Sequence, residues 1–189
     1  MRILGLAAAL LASAAAPVRA DISGREARCL TMIAYTEAAV DGARGMDAVI
    51  RVVRNRMADP RFPDDACAVI LQVAQFQPIA QSALLQKVAS DPEGYSIPQM
   101  LGLRDAGSRR LLAEAHRLAT AKLTKPDPTG GALYFVNPKL MDPDRCPWFA
   151  GLERTAAIGS HVFLTDRARG QAHGPPALDC AAGRDVSSP

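Results

Sequence analysis

The sequence predicts an α+β fold, mainly helical with a small antiparallel β element. Three observations lead there. Apolar residues recur at three-and-four spacing through much of the chain. After about residue 125 short β-type runs appear, bounded by Gly, Pro and Asn. A chain of 189 residues can bury one real core, and no composition shift or internal repeat marks a second domain.

The first helix is predicted over Arg25–Val40. Ser23 is its candidate N-cap, with Glu26 three residues on as in a capping box. Gly42 and Gly45 are expected to break it. A second helix, Met46–Ala58, aligns Val49, Ile50, Val52, Val53 and Met57 before Pro60 and Pro63 stop it. Asp64 and Asp65 cap a short third helix over Ala66–Ala74. A fourth is expected over Ile79–Ser90, with a loop at 91–94. Ser108–Leu123 is amphipathic, with Leu111, Leu112, Ala115, Leu118 and Ala119 on one face. The turn Asp127-Pro128-Thr129-Gly130-Gly131 then leads into a strand, Ala132–Val136, stopped by Asn137-Pro138. A second strand is expected over His161–Leu164. Two strands after several helices give the α+β assignment.

Residues 1–20 stand apart. A basic start (Met1-Arg2), an apolar Leu/Ala run and small residues before position 21 have the layout of a secretory signal peptide cut after Ala20. The organisation expected is therefore a signal peptide over 1–20, one domain over 21–166, and an irregular tail over 167–189. No stable membrane span is expected once the first segment is removed, because its apolar run is short. Without Arg2 and Arg19, 20 basic residues face 19 acidic ones. That near-neutral balance gives no electrostatic case for nucleic acid.

Cys29, Cys67, Cys146 and Cys180 all follow the leader. An even number in an exported chain argues for two disulfides, of which three pairings exist. Cys29–Cys67 and Cys146–Cys180 are favoured: the first staples neighbouring helices and the second pins the tail. Zinc is the rival, but no pair has C-x-x-C spacing.

The stretch 34-AYTEAAVD-41 sets Glu37 in the apolar register of the first helix. Carboxylates are seldom buried without a partner. Either Glu37 lies on the wet side and pairs with Arg44 or an arginine of the next helix, or it faces a cleft near the helix end. In the second case its raised pKa suits a general acid near neutral pH. Asp41, one helical turn on, is expected to be a helix-end or water-binding residue, since two-carboxylate glycosidases place their acids across the scissile bond. Gln75 and Phe76 follow a short helix and are candidates to line a groove. Tyr134 and Asn137, on and just after a strand, suit sugar stacking and hydrogen bonding. His161 is the one histidine in an ordered apolar context, where a satisfied core residue is the alternative. Asn55-Arg56 reads as a structural hydrogen-bonding pair. No G-x-S-x-G motif supports a serine hydrolase.

In order, these pieces resemble the SleB-type cell-wall hydrolases, the spore-cortex-lytic enzymes. The matching stretches are 35-YTEAAVDGARGMDAVIRVVRNR-56, Arg61-Phe62-Pro63, Gln75-Phe76, 127-DPTGGALYFVNP-138, Trp148 and 158-IGSHVF-163. The resemblance implies a lysozyme- and lytic-transglycosylase-like fold with a groove between helices and β element. It implies that Glu37 is the single catalytic acid/base, and that the substrate is the peptidoglycan glycan strand. There the β-1,4 bond from N-acetylmuramic acid to N-acetylglucosamine is cut with closure of an anhydro ring, and no metal or other cofactor is needed. Simple hydrolysis, as in a muramidase, and a non-catalytic peptidoglycan-binding or assembly role are the alternatives. An amidase is the remotest, since His161 and His173 lack metal-ligand spacing with an acid. At residues 39–41 the family's R-G-E is A-V-D here. With the leader and the paired cysteines, the implied location is the periplasm or cell envelope.

Overall fold

The computed structural model describes residues 22–72, 76, 82–94, 96–166, 177, 178 and 180. The leader expected over 1–20, Gln75 and most of the tail lie outside them.

Helix α1 (Gly24–Ala38) opens on a complete capping box: Ser23 Oγ accepts from the Glu26 N–H, and Glu26 Oε2 accepts from the Ser23 N–H. It stops two residues short of the predicted Val40. A single 3-10 turn, Ala39–Asp41, then leads through Gly42, at φ +66°, into α2 (Gly42–Ala58). Glu37 and Asp41 therefore do not share one continuous helix face. Gly45 breaks nothing; it lies inside α2, where its missing side chain makes room. A Cβ there would fall 2.3 Å from the Cβ of Asp41.

The remaining helices are shorter than their sequence patterns. α3 is Ala66–Ile70, capped by Asp65, whose Oδ1 accepts from the Ala68 N–H at 2.8 Å. α4 is Ala83–Ser90, and α5 is Ile97–Met100, where the sequence pattern predicts no element. α6 is Ala106–Thr120, capped by Asp105 rather than beginning at Ser108. α1 packs on both α2 and α6, which also touch each other. Between them Leu30, Met32, Ile33, Met46, Val49, Ile50, Val53 and Ala115 form the main core. Each fully buried Leu, Ile, Val or Met contributes about 1.5–3 kcal/mol relative to exposure.

The β element has three strands, not two: β1 (Tyr134–Val136), β2 (Glu153–Ile158) and β3 (His161–Thr165), in the antiparallel order β1-β3-β2. β2 escapes sequence reading because E-R-T-A-A-I is poor in large β-formers. It is an edge strand, mostly half-exposed, with a register irregularity between Arg154 and Ala156. Before it runs a 3-10 turn (Pro143–Arg145) into a short helix, α7 (Cys146–Ala150).

The end of α2 seats the sheet. Asn55 Nδ2 donates to Asp127 Oδ2 at 2.8 Å and to the Ala132 carbonyl at 3.0 Å, while Arg56 Nε donates to the Leu133 carbonyl at 2.6 Å. Asp127 in turn closes its own turn by accepting from Thr129 and Gly131. Two disulfides cross-link the fold. Cys29–Cys67 joins α1 to α3, and Cys146–Cys180 ties the tail to α7, where Ala177 and Leu178 are buried beside Phe149 and Leu152.

Candidate active site

Glu37 stands in the last turn of α1, half-buried, where that helix meets the sheet. It lines a cavity of about 540 Å³ together with Thr36, Val40, Phe135, Asn137, Phe149 and His161. Its Oε1 is buried without a hydrogen-bond partner, and burial pushes the carboxyl pKa from 4.5 up to about 7. No arginine of α2, Arg44 included, pairs with it. Near neutral pH such a group exists in both forms, so it can give a proton and take one back.

Across the junction Asp41 does what the sequence does not announce. Its Oδ1 accepts from the Ser160 N–H and its Oδ2 from Ser160 Oγ, each at 2.9 Å. His161 Nδ1 lies 2.9 Å from Oδ2. The helix junction thus clasps the two-residue turn Gly159-Ser160 between β2 and β3. Asp41 is the helix-end residue expected, and its carboxylate is a structural anchor and not a free second acid. The clasp depends on Gly159, at φ +60°, where an added Cβ would fall 2.4 Å from Asp41 Cγ. Gly159→Ala is expected to destabilise the fold by about 1–3 kcal/mol, as steric clash and left-handed strain combine. Urea unfolding measures it, and an unchanged midpoint would show that the clasp yields freely.

His161 is buried among Phe135 and Phe163, with its ring edge-on to Phe135 at 5.3 Å, yet it also lines the Glu37 cavity. Asn137 lines the same cavity, and its Oδ1 accepts from the Lys139 N–H. Tyr134 lies next door, in a pocket of about 370 Å³ with Trp148, Arg56 and Arg145. Phe135, Arg145 and Phe149 line both cavities, which are therefore immediate neighbours. Phe76 is corrected from a groove residue to a core residue. At 1% exposure its ring belongs to the main core, where it packs on Phe135 and on the guanidinium of Arg56. Gln75 lies outside the described residues. Sequence reasoning missed Thr36, Arg145 and the pocket role of Arg56. The signal available was slight: an arginine in D-R-C-P-W beside the only tryptophan.

Comparison with known proteins then places this geometry. Residues 40–164 match the Cell Wall Hydrolase family, a span that begins three residues after Glu37. The chain belongs to the Cell Wall Hydrolase family. It is 30% identical over 146 residues to a spore cortex-lytic enzyme of Halalkalibacterium halodurans, covering 77% of this chain and 36% of that protein. It is 28% identical over 149 residues to the spore cortex-lytic enzyme of Bacillus subtilis, covering 79% and 40% respectively. The chain therefore spans well under half the length of either relative. Among solved structures, the catalytic domain of the germination-specific lytic transglycosylase SleB from Bacillus anthracis superposes with a TM-score of 0.51. It is 22% identical and covers 76% of this chain and 97% of that one. The catalytic domain of Bacillus cereus SleB gives the same TM-score and identity, over 78% and 95%. The family fold is thus the lytic-transglycosylase type, mainly helical with a small antiparallel sheet.

Among the described residues, no three His, Cys, Asp or Glu side chains group to hold a metal ion. None of the described helices is long and apolar enough to cross a membrane.

Proposed function

We propose that this protein is an exported peptidoglycan lytic transglycosylase with Glu37 as its single acid/base. The observation that carries this reading is the Glu37 carboxyl: half-buried at the apolar end of a groove, one oxygen unpartnered, and its pKa raised to about 7. Family membership supplies the substrate class.

In the proposed reaction a glycan strand lies in the groove. The protonated Glu37 gives its proton to the glycosidic oxygen as the bond from the muramic acid C1 breaks. The carboxylate then takes the proton of the muramic acid C6 hydroxyl while that oxygen bonds to C1. The products are an anhydro end and a free N-acetylglucosamine end, and Glu37 returns to its starting form. A low-dielectric surround of Phe135, Val136 and Phe149 strengthens both transfers.

One feature favours a second reading. Asp142 lines the same cavity as Glu37, and a carboxylate across the bond would activate water for simple hydrolysis. Mass spectrometry of digested sacculi separates the two, since anhydro ends lack the water that reducing ends contain. Predominantly reducing ends would sink the transglycosylase reading, and no soluble fragments at all would sink both. Segment 1–20 is proposed to direct export to the cell envelope. Cell fractionation with N-terminal sequencing tests this, and an envelope form beginning at Asp21 is the outcome that supports it.

A further inference from the structure

Arg56 closes the last turn of α2 at 3% exposure. Three aromatic rings enclose its guanidinium: Phe62 at 5.3 Å, Phe76 at 5.2 Å and Tyr134 at 5.5 Å. Among the described residues its hydrogen bond runs from Nε to the Leu133 carbonyl, and Nη1 is buried without a partner. Among the described residues no carboxylate pairs with it. Buried charges are as a rule paired, so this is an uncompensated cation at the back of a pocket. Burial holds its pKa down, at about 10, which still leaves it charged at neutral pH.

The pocket in front has the shape and chemistry of a subsite. Trp148, half-exposed, and Tyr134 meet edge-on at 5.0 Å to form one wall. Arg145 rests its guanidinium 5.5 Å from the centre of the Phe149 ring and lines both this pocket and the Glu37 cavity. Among the described residues the lining has one carboxylate, Asp144, which is exposed. Arg56 is thus the buried cation of this pocket.

We propose that the Arg56–Trp148 pocket is a subsite for a carboxylate borne by the substrate's muramic acid, with an adjoining pyranose ring against Trp148. This rests on the peptidoglycan reading above. A glycan backbone carries no charge of its own, so the anion comes from the lactyl group or from the peptide attached to it. The subsite would thereby distinguish muramic acid from N-acetylglucosamine and set which sugar is presented to Glu37. Sugar stacking on an aromatic face and charge-assisted hydrogen bonds to arginine are the interactions such a site offers.

Trp148 is the only tryptophan in the chain, so its fluorescence reports occupancy directly. Titrations use the Glu37→Gln protein, which leaves ligands uncut. The ligands are a N-acetylglucosamine–muramic acid tetrasaccharide with free lactyl carboxylates, its methyl ester, the tetrasaccharide carrying tripeptide stems, and neutral chitotetraose. At least one of the two carboxylate-bearing ligands is expected to bind about 10-fold or more tightly than the ester. Whether it is the lactyl or the stem form identifies the source. Arg56→Met is expected to erase that preference and leave chitotetraose affinity unchanged. Equal binding of acids and ester, no binding by any ligand, or an equal loss for chitotetraose in Arg56→Met would overturn the proposal. If Arg56→Met fails to fold, the comparison of acids with ester on the Arg56 protein decides alone. Wild type that cleaves sacculi without preferring carboxylates defeats only the subsite. A carboxylate preference without sacculus cleavage defeats only the catalytic reading.

Discussion

Replacing Glu37 with glutamine is expected to lower sacculus cleavage by ~10²–10⁴-fold, the range general acid–base groups contribute, and to make the fold more stable above pH 7. The two effects have one cause. In the unfolded chain Glu37 ionises near 4.5, and in the folded chain at about 7. Between those values the folded state holds a proton that the unfolded state has lost. Stability therefore falls as pH rises from about 4.5 to about 7, then stays level. The displacement corresponds to about 3 kcal/mol at most. Glutamine carries no such charge, so the variant should gain on wild type at pH 8 and lose that advantage at pH 4. Turbidity loss of purified sacculi and urea melts at both pH values measure the pair. Undiminished lysis would remove Glu37 from the chemistry. Equal stability differences at both pH values would show that its carboxyl is well solvated.

Removing the Cys29–Cys67 disulfide is expected to cost about 4 kcal/mol. The bond joins residues 38 apart, and closing a loop of that length in the unfolded chain accounts for that figure on the chain-entropy view. Both cysteines are fully buried between α1 and α3, so a double alanine variant also leaves unfilled volume. Denaturant melts of the double variant against wild type, both oxidised, test this. A loss below about 1 kcal/mol would mean that α1 and α3 are held by packing alone.

How much of this was legible beforehand depends on the range of the interaction. The capping box at Ser23 and Glu26 is a three-residue pattern, and it could be read directly. Helix α1 could be placed but not ended: the 3-10 turn that follows Ala38 leads to Asp41, whose partner Ser160 lies 119 residues away. The same distance hid Asp41's role: a helix-end carboxylate looks alike whether it meets water or a histidine. Phe76 was misassigned because an aromatic residue beside a groove motif looks the same whether it lines the groove or supports it. β2 was invisible since its partner, β3, supplies the apolar surface that E-R-T-A-A-I lacks. Glu37 was the reverse case. Its oddity, a carboxylate in an apolar register, is local, and the cavity around it accounts for that oddity.

The clasp between Asp41 and the Gly159-Ser160 turn links Glu37 and His161 through four residues of backbone and one side chain. Their separation is thus set over a short path that bypasses most of the sheet. Displacements accumulated along the outer strand need not reach the groove. Sequence drift should accordingly be tolerated at the outer end of β2, where Glu153 is exposed, and resisted at the turn itself. The part of the sheet hardest to read in the sequence is the part freest to change.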